Sequence, residues 1–226
     1  MLNKHLIALP IFFKLILQCI LAVFLLMSFT GCNRAEVRIP GASAEFPKTL
    51  SGYQAKKHYA DKLTVTVPID LRTNYHGVKV GGTNWEGCET DTFFGDQARY
   101  IIRDNVMKEL SDAKLFQEVS DSIEPKAHDL YLRMEINAFC SQVKGFVIAR
   151  VAGIVSMKFS LMRDDQILYS RKIEKVVTDA DPEYTGSQVG FIEQAMRRTM
   201  SDSLRTVFKI LMSDMEQALE TKLKSM

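Results

Sequence analysis

The chain has 226 residues, 46% of them hydrophobic and 25% charged, which suits one domain, or a domain with one long helix, and suffices to bury a core. Its 29 basic and 27 acidic residues leave almost no net charge, and no Lys/Arg cluster is interleaved with aromatics, so a nucleic-acid partner is not expected.

Residues 1–31 read as a secretory leader: a basic start at Lys4 and His5, an apolar run from Leu6 to Phe29 broken by Pro10, Lys14 and Gln18, and small residues before Cys32. An uncleaved transmembrane anchor is the competing reading, because Leu15 to Phe29 is nearly all apolar. Against it, Lys14 would cost about 2.5–3.5 kcal/mol at mid-span, and the run ends in a small-small-Cys triplet without a basic flank. Thr30-Gly31-Cys32 is the pattern of a bacterial lipobox, with Phe29 standing where Leu is usual. Cys32 would then carry diacylglycerol on its thiol and an acyl chain on its amine, with no other cofactor expected. More than one chain makes membrane attachment stable. Asn33, where Asp would hold the protein back, favours the periplasmic side of the outer membrane, with the inner membrane as the alternative.

Three segments follow: a signal peptide over 1–31, an acylated N-terminus and flexible tether over 32–57, and a single periplasmic α+β domain over 58–226. Lys4 and Lys14 leave with the leader while every acidic residue stays, so 27 basic residues face 27 acidic ones. Cys19 also leaves, and Cys88 and Cys140 remain as a candidate disulfide in an oxidising compartment. Two buried free thiols are the other reading. A zinc site joining them to His76 and His128 lacks any compact ligand spacing. Pro40, Gly41, Pro47 and Gly52 interrupt the tether, which has no hydrophobic period.

Leu63 to Arg72 alternates apolar and polar, placing Leu63, Val65, Val67, Ile69 and Leu71 on one face of a half-buried strand, with Pro68 demanding an edge or an outward donor side. Thr73 to Asp96 reads as a long Gly-rich loop around Trp85, functional or mobile rather than structural. Asp96 to Lys114 has helical spacing, with Ala98, Ile101, Ile102, Val106 and Leu110 inward, and Leu115 to Val119 is a short strand. Alternation then predicts strands over 128–140, 146–163 and 166–178, an antiparallel meander with Leu130, Leu132, Met134, Ile136 and Ala138 on one face.

Ser187 to Lys224 contains no Pro and keeps one stripe, Ile192, Met196, Met200, Leu204, Val207, Leu211, Met215 and Ala218, at helical spacing. A helix of about 55 Å exceeds what strands of ordinary length cover, so the turns past Met212 are expected to break back, self-associate or meet a partner. The fold expected is α+β: an antiparallel sheet of about four strands covered by one short and one long C-terminal helix.

In this layout, and most closely from Leu130 to Val177 with Ile136-Asn-Ala-Phe-Cys-Ser-Gln-Val, the chain resembles the YajG-like periplasmic lipoproteins and, more loosely, the auxiliary lipoproteins of ABC-type transport. The resemblance implies an accessory to envelope assembly or transport and transfers no site residue.

An enzyme is not expected. No G-x-S-x-G occurs, His58, His76 and His128 look like surface or loop residues, and Glu86, Glu89, Asp91 and Asp96 lack a calcium-loop pattern. Two non-catalytic readings stand: an accessory subunit of an envelope transport or secretion complex, and a free-standing binder of lipid or cell-wall material. Leu211, Met215 and Trp85 are the candidate partner contacts, with self-association through the last helix as a further expectation.

Overall fold

The computed structural model describes residues 51–80, 82–85, 88, 98–122, 128–144, 150–164, 166–180 and 189–222. Leu63 and Val65 of β1 (Tyr59–Val65) are fully buried, as the alternation requires, but the strand stops at Val65, short of the expected Arg72. Pro68 has no N–H to offer. The ladder pauses after Thr66 N donates to Leu132 O (3.1 Å), and resumes in the two-residue β2 (Ile69–Asp70), beyond which Leu71 N donates to Ile136 O (2.8 Å). Ile69 is left 40% exposed, not on the buried face.

The main sheet has six strands in the order β5-β1-β6-β7-β8, with β2 also pairing β6. Here β5 is Phe116–Asp121, β6 Leu130–Lys144, β7 Arg150–Arg163 and β8 Gln166–Ala180. This corrects the expected sheet of about four antiparallel strands. β6, β7 and β8 form the antiparallel meander, but β1 lies between β5 and β6 and is parallel to both. The cause is the connection: helix α1 (Ala98–Ala113) separates β1 from β5 and carries the chain back, so that β5 runs in the direction of β1. A second sheet holds β3 (Val78–Val80) and β4 (Thr83–Trp85), an antiparallel pair within the expected loop.

β6 changes phase midway. Ile136 pairs with Met157, but across an irregularity Ala138 pairs with Ser156 and Phe139 with Val155. One extra residue, Asn137, turns the rest of the strand over. Leu130, Leu132, Met134 and Ile136 therefore share a face with Phe139, while Ala138 and Cys140 point to the other side, not with Ile136 as the alternation predicts.

Helix α2 (Val189–Lys222) covers the first of these faces. Gly153 on β7 makes the approach possible, because a Cβ there would lie 2.4 Å from the Thr199 carbonyl carbon and 2.5 Å from Met200 N. The Ser203 hydroxyl reaches between two strands, donating to Gly153 O (2.8 Å) and accepting from Val177 N (3.2 Å). Farther along, Asp214 accepts from the Tyr169 hydroxyl (2.9 Å) and from Arg171 (2.7 Å).

The buried positions of α2 recur as neighbouring pairs every fourth residue, from Ala195 and Met196 to Met215 and Glu216. Four residues overshoot a helical turn by about 40°, so the buried stripe winds roughly 200° around the helix over that length. One flat face of the sheet cannot cover such a stripe. Of the outcomes expected past Met212, the helix does not break back: it continues to Lys222, and its last turns meet the chain's own residues 53–59.

Candidate functional site

Cys32, the expected lipidation site, lies outside the described residues, as do Glu86, Glu89, Asp91 and Asp96. The other cysteines meet: Cys88 and Cys140 form a disulfide, with 5.7 Å between their Cα atoms and 52 positions between them in sequence. The phase change in β6 turns Cys140 away from α2, toward the β3–β4 hairpin. There Trp85, Cys88, Ala138, Cys140, Ala152 and Ile154 form a compact cluster, flanked by Tyr75, Val78, Val80 and Val176. The Lys144 ammonium stands 5.9 Å from the centre of the Trp85 ring and bonds to Asn84 O, and Arg150 donates to the Thr83 hydroxyl (3.0 Å).

Trp85 is 2% exposed, so it serves the packing of this hairpin and is not a surface contact. Leu211 and Met215 are fully buried as well. The reason is the winding of the α2 stripe, which keeps both side chains inside as the helix runs on. None of the three is available to a partner in this state, and aspartate at Leu211 or Met215 would break the core instead of probing an interface.

The arrangement that sequence reasoning missed is at the C-terminal end of α2, beginning one residue past Met215. Residues Ser51–His58, all but His58 in the expected tether, run as a strap across both helices. Glu109 of α1, 3% exposed, accepts from the Ser51 backbone N–H (3.0 Å) and hydroxyl. Glu216 of α2, 5% exposed, accepts from Lys56 N (2.6 Å), Lys57 N (2.8 Å) and the Tyr53 hydroxyl. Ala55 N donates to Ala113 O (3.1 Å), and His58 Nδ1 lies 2.8 Å from Lys114 O. Lys57 also pairs with Glu220 at 2.6 Å, and Tyr59 N, donating to Leu115 O (2.9 Å), marks where the strap becomes β1.

Burial first, then the bond to the Glu216 carboxylate and the charges of Glu216 and Glu220, push the Tyr53 phenol up to about 12. A bond to a charged acceptor contributes about 1.5–3 kcal/mol, whereas ordering a residue costs about 1–2 kcal/mol of backbone entropy. The strap is therefore held by a small difference. A signal was present in the sequence: Glu109 falls among Ile102, Val106, Leu110 and Ala113, and Glu216 among Met212, Met215 and Leu219, each a carboxylate on an apolar stripe.

Two other polar groupings lie apart from the strap. Arg72 has a fully buried side chain and binds both oxygens of Asp70 at 2.7–3.1 Å. Burial of Asp70 works to raise its pKa, but hydrogen bonds from Arg72 and the charges of Arg72 and Arg99 outweigh it and hold the carboxyl below its ordinary value. This pair fixes the turn after β2. A cavity of about 360 Å³ lies beside Gly153, lined by Val177, Thr178, Asp179, Arg198, Thr199 and Asp202. Arg198 pairs with Asp179 there, and such a lining does not suit an acyl chain. Among the described residues no group of three or more His, Cys, Asp or Glu side chains could hold a metal ion, and no described helix is long and apolar enough to cross a membrane.

No protein-family model matches the chain, and no curated protein does. Solved structures with a similar layout include a Xanthomonas campestris protein of the DUF330 family, at 15% identity over 75% of this chain and 94% of that one, with a TM-score of 0.49. A Helicobacter pylori homologue of a neuraminyllactose-binding hemagglutinin is similar at 15% identity over 74% and 86%, with a TM-score of 0.41. A minor lipoprotein of Acinetobacter baumannii is similar at 10% identity over 72% and 94%, with a TM-score of 0.36.

Proposed function

We propose that the chain is a non-catalytic envelope lipoprotein, acylated at Cys32 and held on the periplasmic side of the outer membrane, where its domain serves as an accessory or assembly subunit of a transport or secretion complex. The observation that carries this reading is the strap. The segment leading from Thr30-Gly31-Cys32 ends in main-chain bonds to Glu109 and Glu216, so a domain at the end of an acylated tether is gripped by both helices at its point of attachment. The absence of a catalytic role is part of the proposal. It is supported by the carboxylates described here, which are engaged in holding backbone and arginine.

The first test is metabolic labelling with a palmitate analogue and fractionation of inner and outer membranes, comparing the natural chain with Cys32→Ser. Label and outer-membrane recovery lost in the variant are expected; unlabelled soluble protein from the natural chain would sink the proposal. The second test is affinity purification from detergent-solubilised envelopes, with mass spectrometry of proteins and lipids. Because Leu211 and Met215 are buried, the interface is probed at exposed apolar positions, Tyr100→Asp (50% exposed) and Ile167→Asp (54% exposed). A stoichiometric protein complex weakened by either change is expected. Recovery of the protein alone with bound phospholipid would replace the accessory reading by that of a free-standing lipid binder.

A further inference from the structure

None of residues 51–58 is buried, although the two carboxylates that hold them, Glu109 and Glu216, are. Gly52, Gln54, Lys56, Lys57 and His58 are exposed, and Ser51, Tyr53 and Ala55 are only partly covered. β1 begins one residue later and carries Leu63 and Val65 with no exposure at all. The strap is thus attached chiefly by polar bonds to Glu109 and Glu216, and Tyr53 and Ala55 are the apolar side chains that add partial cover. That choice of partner matters for the open state. A carboxylate released from its donors is solvated by water, whereas an apolar contact released into water is penalised by the area it exposes. Gly52 adds a swivel, with φ of +61° and nothing within 4 Å of where a Cβ would stand.

We propose that Ser51–His58 is a latch, which detaches from Glu109 and Glu216 as a unit while the sheet and both helices stay folded. Detachment frees the Glu216 carboxylate at the end of α2 and releases the residues that precede Tyr59 in the strap. Eight residues then join the tether, adding about 26 Å of reach when extended at about 3.3 Å each. The latch sets how far the domain stands from its point of attachment. Only this last consequence rests on acylation of Cys32; the latch itself does not.

Hydrogen exchange on the mature chain tests it. The amides of Lys56 and Lys57, which donate to Glu216, are expected to be protected, yet to exchange about 100-fold faster than those of Leu63 to Val65, as a local opening requires. Glu216→Ala should speed the two lysine amides by about tenfold or more and leave β1 unchanged, with Glu216→Gln in between. Exchange of the strap at the rate of β1 would overturn the latch, because opening would then be global unfolding. So would an absence of protection, since no docked state would exist, or equal acceleration of strap and β1 by Glu216→Ala. If that variant does not fold, the natural chain and Glu216→Gln decide alone. Cys32→Ser should leave the exchange pattern as it is, so failure of the lipoprotein reading and failure of the latch are distinguishable.

Discussion

The two faces of the meander are closed by different means. One carries a single helix seated so close that its backbone touches Gly153, with Ser203 reaching between strands. The other carries a hairpin of two three-residue strands, too small to bury much on its own, held by Trp85, the Cys88–Cys140 bond and basic side chains from β6 and β7. A long amphipathic element needs only shape to stay on a sheet. A short one needs covalent help.

The most severe test falls on the helix face. Gly153→Ala should cost about 4 kcal/mol or more, because backbone and not a flexible side chain blocks the new methyl group; urea unfolding followed by circular dichroism reads it. A variant within a few degrees of the natural melting temperature would show that α2 is not seated by this contact. On the hairpin face, replacing Cys88 and Cys140 together by Ser should cost about 4 kcal/mol, the chain-entropy value for a bridge spanning 52 positions. Trp85→Ala should cost about 3 kcal/mol. Combining it with the serine pair should fall short of the sum, since both act through one hairpin. Full additivity would separate the tryptophan from the staple.

The smallest effect belongs to the far end of α2, where polar bonds replace packing. Tyr53 has its pKa raised from 10.0 to about 12, so its contribution is complete below pH 10 and is lost as pH rises toward 12. Burial also pushes the Tyr59, Tyr75 and Tyr169 phenols up, so several ionise late, and the difference in tyrosinate absorbance between the natural chain and Tyr53→Phe should develop near pH 12 and not near pH 10.

Alternation and helical spacing made β6, β7, β8, α1 and α2 legible as elements. The rest depended on partners far away in sequence. A bulge at Asn137 is silent in the pattern, since Ala138 and Cys140 suit either face. Gly153 looks like any strand glycine until Thr199 is placed over it. The position of β1 between β5 and β6 follows from a crossover, not from its own residues. Among the candidate site residues, Leu211, Met215 and Trp85 were recognisable as apolar and notable, but the pattern does not say which other segment covers them. Glu109 and Glu216 were legible only as carboxylates on apolar stripes, and beside the Ser51 and Tyr53 hydroxyls their donors are main-chain N–H groups, which leave no mark in a sequence.

The interior place of β1 orders the assembly of the domain in time. From Leu130 onward, β6, β7, β8 and α2 are each next to their sequence neighbours and form a low-contact-order unit that collapses early. β1 precedes all of them in the chain, yet both of its partners are downstream, β5 from Phe116 and β6 from Leu130. It must therefore wait and then insert between two strands, and until it does, the β6 edge is open to pairing with other chains. For a chain whose N-terminal end is held at a surface, the slow step of folding is expected to be the arrival of the strand nearest to that hold.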